Sequence, residues 1–111
     1  MANSLEGELV VGVTETLEGA MAAIESNGYR SVVVVDDERR VVGTASDGDL
    51  RKAVLAHRVL STPINQIMTR NCLTLRSHDV DRARELFDRE HIFLIPVVDD
   101  EGHLLRVLTA Y

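Results

Sequence analysis

The stretch VVVVDDERRVVGTASDGDLRKAV, running from Val32 to Val54, decides the fold. Ser31 to Val35 is a short continuous apolar run, the pattern of a strand buried on both faces. Asp36 to Arg39 is a polar turn, and Arg40 to Ala45 reads as a second strand. Ser46 then opens a helix predicted to reach His57, because a serine hydroxyl can accept from the free N–H groups of a first turn. Working back toward the N-terminus, Glu8 to Val13 is predicted as a strand. Thr14 or Thr16 can cap the helix that follows. In that helix Leu17, Ala20, Met21 and Ile24 recur at helical spacing and predict one buried stripe. Asn27-Gly28 ends it, with glycine free to take the left-handed cap conformation.

The pattern returns further along. Sliding the sequence by about 63 positions brings its halves into register without a gap. Asp36-Asp37-Glu38 falls on Asp99-Asp100-Glu101, Val34-Val35 on Val97-Val98, and Val41-Val42 on Leu104-Leu105. Leu17, Ala20, Ala23 and Ile24 fall on Val80, Ala83, Leu86 and Phe87, and Ser46 falls on Thr109. The second half therefore predicts a helix capped by Asp79 with Val80, Ala83 and Phe87 on one face. A buried strand from Ile92 to Val98, an Asp99–Gly102 turn and a strand from His103 to Leu108 follow. Pro96 is acceptable in such a strand only where its missing N–H is not needed, at an edge or a bulge. Thr62-Pro63 reads as a cap and first-turn proline of a short linker helix over 62–69. The expected division is one repeat over 1–61 and a second over 62–111. The second repeat lacks the closing helix that the first has after its last strand, so an apolar face is left to be covered.

Composition bounds the function. The 111 residues carry 45% hydrophobic and 27% charged residues, enough to fold around a core. With no Trp, two Phe and two Tyr, that core must be aliphatic. A net charge of −6 argues against a general nucleic-acid or anionic-membrane surface. Cys72 is the only cysteine, so no internal disulfide can form. Met1 to Leu9 has no basic and apolar signal-peptide pattern, and a cytoplasmic location is expected. The four histidines have no metal-ligand spacing, and no nucleophile elbow, P-loop or dinucleotide fingerprint occurs, so no metal and no catalytic residue is assigned. The two Asp-Asp-Glu clusters read as solvated turns. Arg82, Arg84 and Arg89 with Glu85 and Glu90 read as a solvent-facing helix surface. Met68 and Cys72 read as buried apolar residues.

One constellation is a candidate site. Gly43-Thr44-Ala45-Ser46-Asp47-Gly48-Asp49 is a strand end running into a helix start. Gly43 and Gly48 permit a close backbone approach, and helix-start amides favour an anion. Ser46 suits a phosphate or sugar oxygen, Asp49 a ribose diol, and Arg51 and Lys52 a phosphate charge. Yet Ser46-x-x-Asp49 is also a capping box, and on spacing alone that is the stronger reading.

Three segments, Val32–Val54, TPINQIMTRNCLTL (Thr62–Leu75) and IFLIPVVDDEGHLL (Ile92–Leu105), resemble the CBS domain family over nearly the whole chain. The resemblance implies an α/β (α+β) fold of two tandem β-α-β-β-α repeats about a pseudo-two-fold axis. It implies a regulatory module, not an enzyme by itself, that binds AMP, ADP, ATP or another nucleotide. Gly43, Ser46 and Asp49 match the family's binding motif; Arg51 and Thr109 join them as candidates. A homodimer and an attached or partner enzyme are further implied. SDGDLRKA is similar to CBS pairs joined to a sugar-phosphate nucleotidyltransferase, the expected partner, or to arabinose-5-phosphate isomerases. A purely structural dimerisation module is the alternative. Arg106 stands where the second repeat usually has Gly and is expected to crowd the second cleft.

Overall fold

The computed structural model describes residues 7–111. Its first sheet has strand order β1-β2-β3, from Val10–Gly12 (β1), Ser31–Val35 (β2) and Val41–Ser46 (β3). β1 runs parallel to β2 and β3 antiparallel to it. Helix α1 (Leu17–Asn27) joins β1 to β2, and α2 (Asp47–Leu55) follows β3. The second sheet pairs β4 (Leu94–Val98) with β5 (Leu104–Thr109) antiparallel, after helix α3 (Ala83–Glu90). This is the expected mixed fold of two repeats, the second without its closing helix among the described residues.

The repeat seen in sequence is a repeat in space. β2 and β4 start about 63 residues apart, as do β3 and β5. Both hairpins break register at the same place, between Val34 and Val35 and between Val97 and Val98. The halves meet across a pseudo-two-fold: the Val41 N–H donates to the Gly102 carbonyl and the Leu104 N–H to the Arg39 carbonyl, both at 2.9 Å. The apolar β2 is buried at every position, and alternation explains why. Val32 and Val34 face the helices with Leu17, Ala20, Ile24, Leu50 and Ala53. Val33 and Val35 face the other repeat, against Leu94, Leu104 and Val107.

Several local signals act as expected. Thr16, rather than Thr14, caps α1, its hydroxyl accepting from the Gly19 N–H at 3.0 Å, a bond worth about 1 kcal/mol. Gly28 ends α1 at φ 74°. Pro96 is fully buried. Its carbonyl accepts from the Leu75 N–H, so its nitrogen also points to that side and no β5 bond is lost. The aspartates Asp36 and Asp99 organise the turns. Asp36 accepts from the N–H groups of Glu38 and Arg40, Asp99 from those of Glu101 and His103. The backbone N–H of Arg40, and then that of Glu38, hold the Asp36 carboxyl below its ordinary 3.8; His103 and Glu101 do the same for Asp99. A carboxylate with a depressed folded value supports the turn fully above 3.8 and loses that support as pH falls through its lower folded value. The amide resonances of Glu38, Arg40, Glu101 and His103 are therefore expected to move together only below pH 3.8, which an NMR titration will show.

Other expectations are corrected. The predicted strand from Glu8 to Val13 shrinks to Val10–Gly12, because Gly7 to Leu9 is helical. Met21 is 41% exposed and not part of the buried stripe, lying beside Val54 on the outer side of α1 and α2. Thr62 caps nothing; its hydroxyl donates to the Val59 carbonyl at 2.6 Å. The linker helix is only a 3₁₀ turn over Ile64–Gln66. Asp79 lies inside a second 3₁₀ turn, Ser77–Arg82, and α3 has no side-chain cap. The strand predicted from Ile92 starts at Leu94.

Val80, Ala83 and Phe87 remain only half-buried, whereas Leu86 is buried. Those three line a trough of 620 Å³ between α3 and β5 together with Arg84, Asp88 and Arg106 to Ala110. Their counterparts in the first repeat are Leu17, Ala20 and Ile24, which α2 covers through Leu50 and Ala53. The trough occupies the place that α2 holds in the first repeat. Leaving it open explains the incomplete burial.

Candidate ligand cleft between the repeats

The end of β3 and the start of α2 are tied together by a capping box. The Asp49 N–H donates to Ser46 Oγ at 3.2 Å, and the Ser46 N–H donates to Asp49 Oδ2 at 3.0 Å. Ser46 Oγ itself lies 3.1 Å from the same Oδ2. A third contact comes from the linker: Thr69 Oγ1 donates to the Asp49 carboxylate at 3.3 to 3.4 Å. The linker is held there because Thr44 and Thr69 exchange backbone bonds of 3.0 and 2.7 Å.

These residues open onto a cleft. One hollow of 540 Å³ is lined by Thr44, Ser46, Asp49, Thr69, Cys72 and Leu73 with Glu90, Ile92 and Leu94. A second, of 340 Å³, shares Thr44, Ser46, Ile92 and Leu94 and adds Arg30, Asp47, Gly48, Arg51 and His91. Both volumes lie in the range of small-molecule sites. The floor is apolar. One hollow carries the Asp49 and Glu90 carboxylates and threonine hydroxyls, and the other carries Arg30, Arg51 and His91 with Asp47. That arrangement suits a ligand with a flat apolar part, a hydroxylated part and an anionic part.

Of the five sequence candidates, Ser46, Asp49 and Arg51 line the cleft. Gly43 does not line it. It is buried behind, where a Cβ would stand 2.6 Å from the Thr69 carbonyl oxygen and 3.0 Å from Met68 Sδ. The close approach it permits in the fold is to the linker. A Cβ on Gly48 would meet nothing of the protein nearer than Ser46 Oγ at 3.7 Å, and Gly48 lines the cleft. Thr109 is separated from the others; it lines the open trough, and its hydroxyl donates to the Tyr111 carbonyl at 3.2 Å. Arg106 is exposed and lines the same trough as Thr109. Aromatic packing lies nearby. Tyr111 stands at the counterpart of Gly48, its ring 5.1 Å from Tyr29 and edge-on to Phe93 at 6.3 Å. The two tyrosine hydroxyls donate to the Tyr111 and Gly28 carbonyls.

The linker residues Thr69 and Leu73 and the basic residues Arg30 and His91 were missed in sequence. Each is remote from the motif along the chain, and the counterparts of Arg30 and His91 in the other repeat, Phe93 and Gly28, carry no charge. Cys72, expected to be buried, is half-buried on the cleft wall, where burial still raises its thiol pKa. Elsewhere, ligand atoms of Asp99, Glu101 and His103 lie within 4.8 Å of one another. In the first repeat the same two carboxylate positions are bridged by Arg40. Among the described residues no helix is long and apolar enough to cross a membrane.

Two repeats packed on each other and walling one cleft define a tandem-repeat module. The CBS domain family matches residues 7–56 and 64–111, and the chain belongs to it. It is 35% identical over 96 residues to the arabinose 5-phosphate isomerase GutQ of Escherichia coli K12, covering 85% of this chain and 30% of that protein. The chain thus spans less than a third of the length of this relative. A CBS domain protein of Pyrobaculum aerophilum complexed with AMP superposes with a TM-score of 0.76 at 25% identity, over 91% of this chain and 79% of that one. The protein AcuB of Vibrio cholerae superposes with a TM-score of 0.80 at 21% identity, over 95% of this chain and 82% of that one.

Proposed function

We propose that this chain is a regulatory module that binds an adenosyl or related nucleotide in the cleft and controls an attached or partner enzyme acting on a sugar phosphate. The observation that carries the reading is Asp49. Its carboxylate is held by the capping box and by Thr69, yet it lines the cleft. One oxygen serves the helix start, while the other edge is presented where a ribose diol would sit. The capping and binding roles are therefore compatible. The AMP complex of the Pyrobaculum relative supports the ligand class. The likeness to GutQ supports the isomerase over the nucleotidyltransferase as the kind of enzyme controlled. In this reading residues 1–61 and 62–111 act as the two halves, and a ligand touching both favours one arrangement of the pair. Control then comes from its different affinity for the two arrangements.

Isothermal calorimetry on the chain with AMP, ADP, ATP, GTP, CMP and S-adenosylmethionine tests this. Saturable micromolar binding of at least one adenosyl compound is expected. No heat from any of them, with the protein folded by circular dichroism, would overturn the nucleotide reading and leave the structural dimerisation module.

A further inference from the structure

We propose that the turn between β4 and β5 holds a divalent transition-metal ion such as zinc, ligated by Asp99, Glu101 and His103. None of the three lines the cleft. Asp99 Oδ2 stands 3.2 Å from His103 Nδ1, and Glu101 Oε1 stands 3.7 Å from the same nitrogen. Ligand atoms about 2.1 Å from one zinc ion stand about 3.4 Å apart at the tetrahedral angle. The three atoms are therefore spaced for one ion, with a further position left for water. Asp99 Oδ1 is already engaged by the N–H groups of Glu101 and His103, which leaves Oδ2 to the ion. Asp100 is drawn away by its ion pair with Arg76. An imidazole nitrogen among carboxylate oxygens suits zinc, nickel or copper, whereas magnesium and calcium take oxygen ligands.

The first repeat shows a cation held at the same place. Asp36, Glu38 and Arg40 are the counterparts of Asp99, Glu101 and His103. Asp36 Oδ1 accepts from the N–H groups of Glu38 and Arg40, as Asp99 Oδ1 does in its own turn. The Arg40 guanidinium then bridges the pair of carboxylates. Its Nε lies 3.2 Å from Asp36 Oδ2, and its Nη2 reaches Glu38 Oε1. The first turn thus carries its cation covalently. A guanidinium has five donors and no acceptor, so it fills the place and cannot ligate. The second turn keeps both carboxylates and puts an imidazole where the guanidinium stood. A neutral imidazole offers a lone pair to a metal, and here it offers it beside two negative charges. The two turns lie side by side, with Arg40 and His103 forming an antiparallel bridge, so the ion sits at the junction of the repeats.

The test is calorimetric titration of the metal-free chain with zinc chloride and with magnesium chloride, repeated on His103→Arg and Arg40→His with melting curves for each. The unaltered chain is expected to bind one zinc ion with micromolar affinity and to give no heat with magnesium. His103→Arg is expected to lose zinc binding and to melt at the same temperature, because the first repeat shows arginine closing the same pair of carboxylates. Arg40→His copies the ligand set into the first turn and is expected to take up a second zinc ion per chain. Zinc affinity unchanged in His103→Arg, or no saturable zinc binding by the folded chain, would overturn the site. Magnesium bound as tightly as zinc would overturn the part given to the imidazole. A single zinc ion in Arg40→His would overturn the equivalence of the two turns on which the assignment stands.

Discussion

Gly43→Ala is expected to lower the melting temperature by roughly 10 °C, from a loss of about 2–3 kcal/mol. An alanine in a strand normally gains over glycine, by about 0.5–1 kcal/mol, because the unfolded chain loses less freedom. Here the sign reverses. The new Cβ would stand 2.6 Å from the backbone oxygen of Thr69, which is fixed by its own bonds to Thr44. A backbone atom cannot swing aside as a side-chain end can. Either β3 or the linker must shift, and the shift would also pull Thr69 from Asp49. Gly48→Ala is the matched control. Its nearest neighbour would be at 3.7 Å, an ordinary contact, and alanine in a helix gains about 1 kcal/mol over glycine. Thermal melts of the two variants should therefore move in opposite directions. If both rose, the linker would not be docked on β3 as described.

Asp49→Ala is expected to reduce nucleotide affinity about 100-fold, the value of two hydrogen bonds to a charged acceptor. Stability should fall by only about 1 kcal/mol, because the helix start keeps Ser46 as a cap and loses the reciprocal half of the box. Asp49→Asn separates the two roles. It retains an acceptor for the Ser46 N–H and so should melt close to the unaltered chain, but it lacks the charge and one acceptor for a diol. Calorimetry and melting curves on both variants distinguish the readings. Affinity that followed stability, with Asn restoring both, would reduce Asp49 to a helix cap. Affinity lost in both while Asn restored stability would place Asp49 on the ligand.

The legibility of the site was uneven, and the reason is distance along the chain. Ser46 and Asp49 lie three residues apart, and their pairing follows from helix geometry. Sequence could show the box and a candidate ligand group, but not that the carboxylate also borders a cleft. The opposite wall comes from Cys72, Leu73 and Ile92, brought there by the docking of the linker and by the pairing of the repeats. Gly43 was singled out for a close backbone approach, and the neighbour the fold brings to it is the linker at Thr69 and Met68. Thr109 was matched to Ser46 by the repeat and does sit at its counterpart, yet it faces the open trough. Symmetry of the backbone does not carry over to the chemistry of its surroundings.

Local signals sufficed for β2, β3 and the helices α1 and α2, but not for the linker or the start of α3. The apolar run before Asp36, the Thr16 and Ser46 caps and Gly28 at a helix end each depend on residues within a few positions. The repeat in those signals implied two similar units meeting symmetrically. Tertiary structure alone decided which valines of β2 face helices and which face the other repeat. It also exposed Met21 and Val54 beyond the apolar stripe, turned the Thr62 hydroxyl to a carbonyl, and left Phe87 half-covered beside an open trough. Capping and strand patterning act within one turn or one ladder, whereas burial and the walls of a cleft are set by whichever distant segment packs against them.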